Sequence, residues 1–174
     1  KRDLLHLFDQ CLHADGVQCW GSNDHGQLGD TTQMQRSTPV AVSGLASGVT
    51  TIAAGGNHTC AVVNGAVLCW GRNVAGQIGD GTKLDRAQPT AVSGLGSGAG
   101  ELTAGSEHTC AVVNGGARCW GANSDGQLGN DSDSESNTPI NVFNLSSGVT
   151  AMTAGEKHTC AWLSSGGVKC WGRN

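Results

Sequence analysis

His58-Thr59-Cys60-Ala61-Val62-Val63-Asn64-Gly65-Ala66-Val67-Leu68-Cys69-Trp70-Gly71 spells out a β-hairpin in full. Two apolar runs flank Asn-Gly, the pair that best accepts the positive φ angles of a two-residue type I′ turn. Such a turn sets Val63 against Ala66. Counting outward, Val62 meets Val67, Ala61 meets Leu68 and Cys60 meets Cys69. The cysteines then fall at a non-hydrogen-bonded site, where Cα atoms approach to about 4.5 Å, the short end of what a disulfide spans. Asn114-Gly115 does the same for Cys110 and Cys119. Two further hairpins have three-residue loops, Ala14-Asp15-Gly16 and Ser164-Ser165-Gly166, with Gly where αL is needed. The same count faces Cys11 with Cys19 and Cys160 with Cys170, so four local disulfides are expected, one per hairpin.

The hairpin belongs to a larger period. Trp-Gly recurs at Trp20, Trp70, Trp120 and Trp171, spacings of 50, 50 and 51 residues, and His-Thr-Cys recurs at His58, His108 and His158. A period of this length marks stacked or ring-arranged supersecondary units. Short alternating apolar runs broken by Asn-Gly, Gly-Gly and Pro predict many brief strands and an all-β fold. Residues 1–174 are read as one repeat domain: a partial unit at 1–15, units at 16–65, 66–115 and 116–165, and the start of another at 166–174. Periodicity alone does not separate strand from helix over Leu4 to Phe8; its place in the repeat makes it the strand before Cys11.

Zinc binding competes with the disulfide reading, because each repeated histidine stands two residues before a cysteine. Zinc needs four ligands converging tetrahedrally, whereas opposed cysteines already have each other. The first hairpin also keeps its cysteines with Asp9 where the others have histidine. The histidines are therefore read as structural, with no metal and no cofactor expected.

Eight cysteines in four pairs place the chain in an oxidising compartment, so a secreted or extracellular location is expected. Aromatic residues make up 4% and Gly contributes 28 of 174 positions, so the cores must be built from small aliphatic side chains and backbone. Net charge is −4 without any Lys/Arg cluster, which argues against nucleic-acid binding. No apolar run is long enough to span a bilayer, so no membrane insertion is expected. No signal peptide is read, and a first residue of Lys fits a processed chain or a fragment. Three sequons make Asn57, Asn130 and Asn144 candidate glycan acceptors in a eukaryotic secretory pathway.

The run Cys-Trp-Gly-Ser-Asn-Asp-His-Gly-Gln-Leu-Gly-Asp from Cys19, with partners from Cys69, Cys119 and Cys170, resembles the regulator-of-chromosome-condensation repeat family. The resemblance covers nearly the whole chain, from Gly16 to Asn174. It implies a β-propeller with four-stranded antiparallel blades, usually seven around an axis, in which Trp20, Gly21, Gly26, Gly29 and His58 are blade-forming. The paired cysteines resemble the secreted members. No position matches a nucleotide-exchange surface, so that activity is not carried over. With three complete connectors, Gly26 to Pro39, Gly76 to Pro89 and Gly126 to Pro139, the chain should form three to four blades of an open or partial propeller with unpaired edges. Two copies of 174 residues approach the length of seven 50-residue repeats, which makes a two-chain ring arithmetically attractive.

The repeats differ after each Gly-Gln-x-Gly turn, and variable loops on a rigid scaffold are where recognition resides. The candidate interaction residues there are Arg36, then Lys83, Asp85 and Arg86, then Asp131, Asp133 and Glu135. Trp162, standing where Val62 and Val112 stand in the other repeats, is the candidate contact unique to one unit. The acidic third loop lacks the Gly and Glu positions of an EF-hand. No phosphate loop or Gly-x-Ser-x-Gly motif appears, and a histidine repeated in three units speaks for structure rather than one asymmetric catalytic group. The leading expectation is a non-enzymatic secreted or surface module that binds protein partners, including further copies of itself. An enzyme inhibitor of the propeller type and a carbohydrate-binding propeller are the alternatives.

Overall fold

The computed structural model describes residues 10–12 and 16–174, and these form strands and turns without a helix. The Leu4–Phe8 segment, and the tip of the first hairpin at Ala14 and Asp15, lie outside the described residues. Four antiparallel sheets follow one another along the chain. The first holds β1 (Gln10–Leu12), β2 (Gln18–Gly21) and β3 (Arg36–Ala41). The second holds β4 (Val49–Ala54), β5 (His58–Val63), β6 (Ala66–Gly71) and β7 (Arg86–Ala91). The third holds β8 (Ala99–Ala104), β9 (His108–Val113), β10 (Gly116–Gly121) and β11 (Ser136–Asn141). The last holds β12 (Val149–Ala154), β13 (His158–Leu163) and β14 (Val168–Gly172).

Two blades are thus four-stranded, and the two at the ends have three strands each among the described residues. The sheets do not close into a ring, so the molecule is an open arc of a propeller. Sheet and sequence unit are offset. Unit 16–65 contributes β4 and β5 to the blade that unit 66–115 completes with β6 and β7, so each complete blade is sewn from two consecutive units.

The hairpin register follows from the turns. Asn64 and Gly65 sit at φ 50° and 81°, and Asn114 and Gly115 at 51° and 78°, the two positive angles a type I′ turn requires. Cys60 faces Cys69 and Cys110 faces Cys119. With Gly166 at φ 86°, the three-residue loop sets Cys160 against Cys170, and Cys11 faces Cys19. All four pairs are disulfides with Cα atoms 4.1 to 4.2 Å apart, and no cysteine is free.

The core lies between blades. Cys60, Val62, Val67 and Cys69 of the second blade pack with Leu102, Ala111 and Trp120 of the third. Trp70 packs the other way, with Leu28 and Val42 of the first, and Trp120 likewise faces the blade before its own. Trp70 and Trp120 are fully buried; Trp20, with no blade before it among the described residues, is half-buried. Removing either buried indole would cost about 3–5 kcal/mol.

One polar latch recurs at each joint. The carbonyl of Gln27 accepts from Trp70 Nε1 at 2.8 Å and from the Thr59 hydroxyl at 3.0 Å, so the Gly-Gln-x-Gly loop of one blade is held by the Trp and Thr of the next. Gly29 makes the approach possible, since a Cβ there would lie 2.8 Å from Trp70 Nε1. Gln77 with Thr109 and Trp120, and Gln127 with Thr159 and Trp171, repeat the arrangement. Histidine closes it: His58 Nε2 lies 2.8 Å from Thr109 Oγ1, and His108 Nε2 lies 3.0 Å from Thr159 Oγ1. Each threonine hydroxyl gives its proton to a glutamine carbonyl, so it accepts from the histidine. This fixes the Nε2–H tautomer and leaves the buried Nδ1 of His58 and His108 without a partner. Burial, then the neighbouring histidine, holds His58 down to about 3 and His108 down to about 4, so both are neutral at physiological pH.

Candidate interaction surface

Strand direction gathers the variable loops at one end of the arc. The chain leaves β4 through residues 55–57, returns along β5, turns at Asn64-Gly65, and leaves β6 through the long loop 72–85. Residues 55–57 and 72–85 therefore share an end, together with 22–35, 105–107, 122–135 and 155–157 of the other blades. Near the axis, where β4, β8 and β12 approach one another, these turns line a groove of about 530 Å³. Ala54, Ala104 and Ala154 form its small-residue wall, with Asn57, Ser106 and Glu156 among its polar groups.

The long loops are rigid because their polar groups are internally satisfied. Asn73 accepts from Ile78 N through Oδ1, and its Nδ2 donates to Asp80 and to the carbonyls of Thr82 and Leu84. Asp80 in turn accepts from Thr82 N, Thr82 Oγ1 and the Arg86 guanidinium. Burial pushes the Asp80 carboxyl up, but the bonds from Thr82 and Arg86 outweigh it, and its pKa lies below the usual aspartate value. Asn23, Asp30, Thr32 and Arg36 form the same network in the first loop, with the same outcome for Asp30. In the third loop Asn130 replaces the aspartate and still accepts from Asn123 Nδ2 at 3.0 Å, while Ser136 replaces the arginine.

The residues singled out from sequence divide accordingly. Arg36 and Arg86 spend their guanidinium groups on Asp30 and Asp80 within their own loops. Asp85 accepts from Asn73 N through one oxygen, and its other lies 2.8 Å from His25 Nδ1 of the preceding blade. Lys83 pairs with Glu135 across the next blade boundary, so these two tie loops together at the surface. Asp131, at φ 61°, and Asp133 are exposed; Asp133 lines a cleft between blades with Glu107 and Glu135. Asn57 is half-buried at the axial groove, Asn130 serves the loop network, and Asn144 is exposed at the opposite end of the arc. Trp162 belongs to no loop; it lies 46% exposed on the outer face of the last sheet.

Several contributors were not singled out from sequence. Met34 and Leu84, both 65% exposed, occupy one repeat position, and Val74 adds a third apolar group at the same end. Their signal in the sequence is the recurrence of a large apolar residue, Met34 and Leu84, inside an otherwise polar loop. The ion pairs Arg72–Glu107 and Lys157–Asp125 also brace this end. Among the described residues no group of three or more His, Cys, Asp or Glu side chains is placed to hold a metal ion, and no helix is long and apolar enough to cross a membrane.

The model of the Regulator of chromosome condensation (RCC1) repeat matches residues 15–62, 64–112 and 114–162, and a second model of that repeat matches residues 49–77. No curated protein sequence matches the chain. Among solved structures, human WBSCR16 is similar at 24% identity with a TM-score of 0.80, over 91% of this chain and 43% of that one. Yeast RCC1 (Prp20), solved bound to Kap60, is 27% identical with a TM-score of 0.75 over 92% of this chain and 40% of its own. Prp20p of Saccharomyces cerevisiae, described with its binding properties to Gsp1p and histones, is 28% identical with a TM-score of 0.76, over 92% and 41%. The chain spans about two-fifths of the length of these proteins.

Proposed function

Because this chain belongs to the regulator of chromosome condensation (RCC1) repeat family, we infer that it is a protein-interaction module whose partner is met by the loop end of the arc. The observation that carries the reading is the division of labour between repeats. Most of what they share, the Trp, Gln, Thr and Cys positions with His58 and His108, serves the blade joints and the hairpin disulfides, and what varies is displayed together on loops held from within. The exposed Met34, Val74 and Leu84, set among carboxylates and ion pairs, give that end the mixed apolar and charged character of a recognition surface. Partners named for the yeast relative, Kap60, Gsp1p and histones, are proteins, which supports the same class of partner here.

The module is non-enzymatic in this reading, because His58 and His108 are buried in joints and His158 holds the same repeat position. It is secreted or extracellular, as the four disulfides favour. The same disulfides oppose a nuclear role. The open sheet faces at both ends are covered by further propeller blades or by another copy of the chain.

Amine-reactive cross-linking of the native extracellular protein tests the reading. Partner-derived cross-links should concentrate at Lys83 and Lys157, both at the loop end, and spare Lys169 in β14. Replacing loop 80–88 by the sequence of loop 30–38 should abolish the Lys157 cross-link in a chain that still folds, at a somewhat lower melting temperature because Asp85 no longer bonds Asn73 N and His25. Cross-links unaffected by the exchange would overturn the assignment of recognition to the loops.

A further inference from the structure

Three connecting turns lie at the end of the arc opposite the variable loops, and residues 42–48, 92–98 and 142–148 that form them include no charged side chain. Each turn closes through the same bond, from a leucine amide to the valine carbonyl three residues back: Leu45 to Val42 at 3.3 Å, Leu95 to Val92 and Leu145 to Val142 at 3.2 Å. The third turn residue takes a positive φ, 76° at Gly44, 71° at Gly94 and 55° at Asn144, as a type II turn requires. The last of these turns departs from the other two at three positions. Ser43-Gly44 and Ser93-Gly94 give way to Phe143-Asn144, and Ser146 replaces Ala46 and Gly96 to complete an Asn-x-Ser triplet. Asn tolerates the left-handed conformation better than other non-glycine residues, so the amide enters without a change of turn. Phe143 is 65% exposed, and Asn144 and Ser146 are exposed with it. A Cβ at Gly44 or Gly94 would meet nothing within 4 Å, so this turn position opens directly onto solvent.

We propose that Asn144, alone among the three sequons, is the N-glycosylated residue of this chain, and that its first sugar rests on the Phe143 ring. The proposal rests on the secreted reading and extends it, since a glycan here covers the hairpin end and leaves the loop end bare for a protein partner. The transfer joins Asn144 Nδ2 to the anomeric carbon of an N-acetylglucosamine delivered as a lipid-diphosphate-linked oligosaccharide. The bond from that carbon to the diphosphate oxygen breaks, the lipid diphosphate leaves with the electron pair, and the amide gives up one proton. The C–H face of a pyranose, slightly positive, then suits the negative face of the aromatic ring beside it.

The other two sequons are built into the fold. Asn57 is half-buried at the axial groove, and the hydroxyl of its triplet, on Thr59, is buried and donates to the Gln27 carbonyl at 3.0 Å. Once Cys60 is joined to Cys69, that triplet is held in the hairpin and cannot extend into a transferase. Asn130 stands where the other loops have Asp30 and Asp80, whose side chains are only 7% and 5% exposed. Its own amide holds Asn123 Nδ2 at 3.0 Å inside the loop, so a sugar there would displace the network that keeps the loop in shape.

Secretion of the 174-residue chain from cultured human cells, which supply this chemistry, tests the proposal. Enzymatic release of N-glycans in heavy-oxygen water converts each occupied Asn to labelled Asp, and peptide mass spectrometry then reads all three sites. Label should appear at Asn144 in most molecules and be nearly absent from Asn57 and Asn130. A second measurement tests the ring. Ser146→Ala deletes the triplet but leaves Asn144 in its turn, so comparison with the unsubstituted chain isolates the glycan. Its loss should lower the melting temperature by about 2–4 °C when Phe143 is present and leave it unchanged in a Phe143→Ser background. Trimming the glycan to its first sugar should preserve that difference. A secreted chain with all four disulfides formed and Asn144 unoccupied overturns the proposal and leaves the secreted reading standing. Equal occupancy at Asn57 or Asn130 overturns the choice of Asn144, and an equal Ser146→Ala shift with and without Phe143 overturns the seat on the ring. A chain that the cells retain without its disulfides removes this proposal and the secreted reading together, while Lys83 and Lys157 cross-linking judges the loop end separately.

Discussion

Protonating His58 or His108 would place a charge inside a blade joint on a ring whose Nδ1 has no partner. Both folded-state values, about 3 and about 4, lie below the ordinary histidine value of 6.5. The unfolded chain therefore takes up these protons first as pH falls. The stability the neutral rings represent is fully present above about pH 6.5 and is lost progressively toward the folded values, by up to about 1.4 kcal/mol per pH unit for each histidine. Asp30 and Asp80, held below the usual aspartate value, add their own loss only under more acid conditions. Urea melts at pH 7 and pH 4.5 should show a clear drop in midpoint, and a chain with His108 replaced by Gln should show a shallower pH dependence. A midpoint unchanged between the two pH values would contradict the buried neutral assignment. The repetition of these histidines made a structural role legible in the sequence. Their hydrogen-bond partner was not, because Thr109 lies 51 residues from His58 and only the packing of consecutive blades brings them together.

At the scale of the element, the hairpins were the most legible part of the chain. Asn64-Gly65 and Asn114-Gly115 dictate type I′ turns, and the turn alone sets which residues face each other for a full strand length. The loops were less so. Arg36 and Arg86 read as display residues, but the structure directs them onto Asp30 and Asp80 six residues away, where they rigidify the loop. What sequence could not convey there was the fold-back of the loop around Asn23 and Asn73, a network of side-chain to main-chain bonds without a periodic signature. The joint between elements gives the sharper prediction. Thr109→Val keeps the shape but removes the oxygen linking His58 Nε2 to the Gln77 carbonyl, leaving the buried His58 Nε2–H unsatisfied and the carbonyl with Trp120 Nε1 alone, and should cost about 1–3 kcal/mol. Thr109→Ser should retain most of the stability. Thermal denaturation of the three proteins checks it; equal melting temperatures for the Val and Ser chains would show that the hydroxyl contributes nothing.

For the whole molecule, the period of 50 residues made the open arc legible, because too few repeats are present to close a ring of the usual size. The offset between sequence unit and blade was not legible from the period, which fixes length but not the point where one sheet ends. Nor was the sidedness of Trp162, which depends on which face of β13 the next blade covers. Blades are stabilised at their joints, so that nearly identical strands differ in stability according to what covers them. Amide hydrogen exchange of the dilute 174-residue protein, resolved by peptide, tests this directly by comparing β5 and β9 with β13, three strands of nearly the same sequence. Exchange should be slow in β5 and β9, covered on both faces, and markedly faster in β13. Equal protection in all three strands of a demonstrated monomer would contradict it.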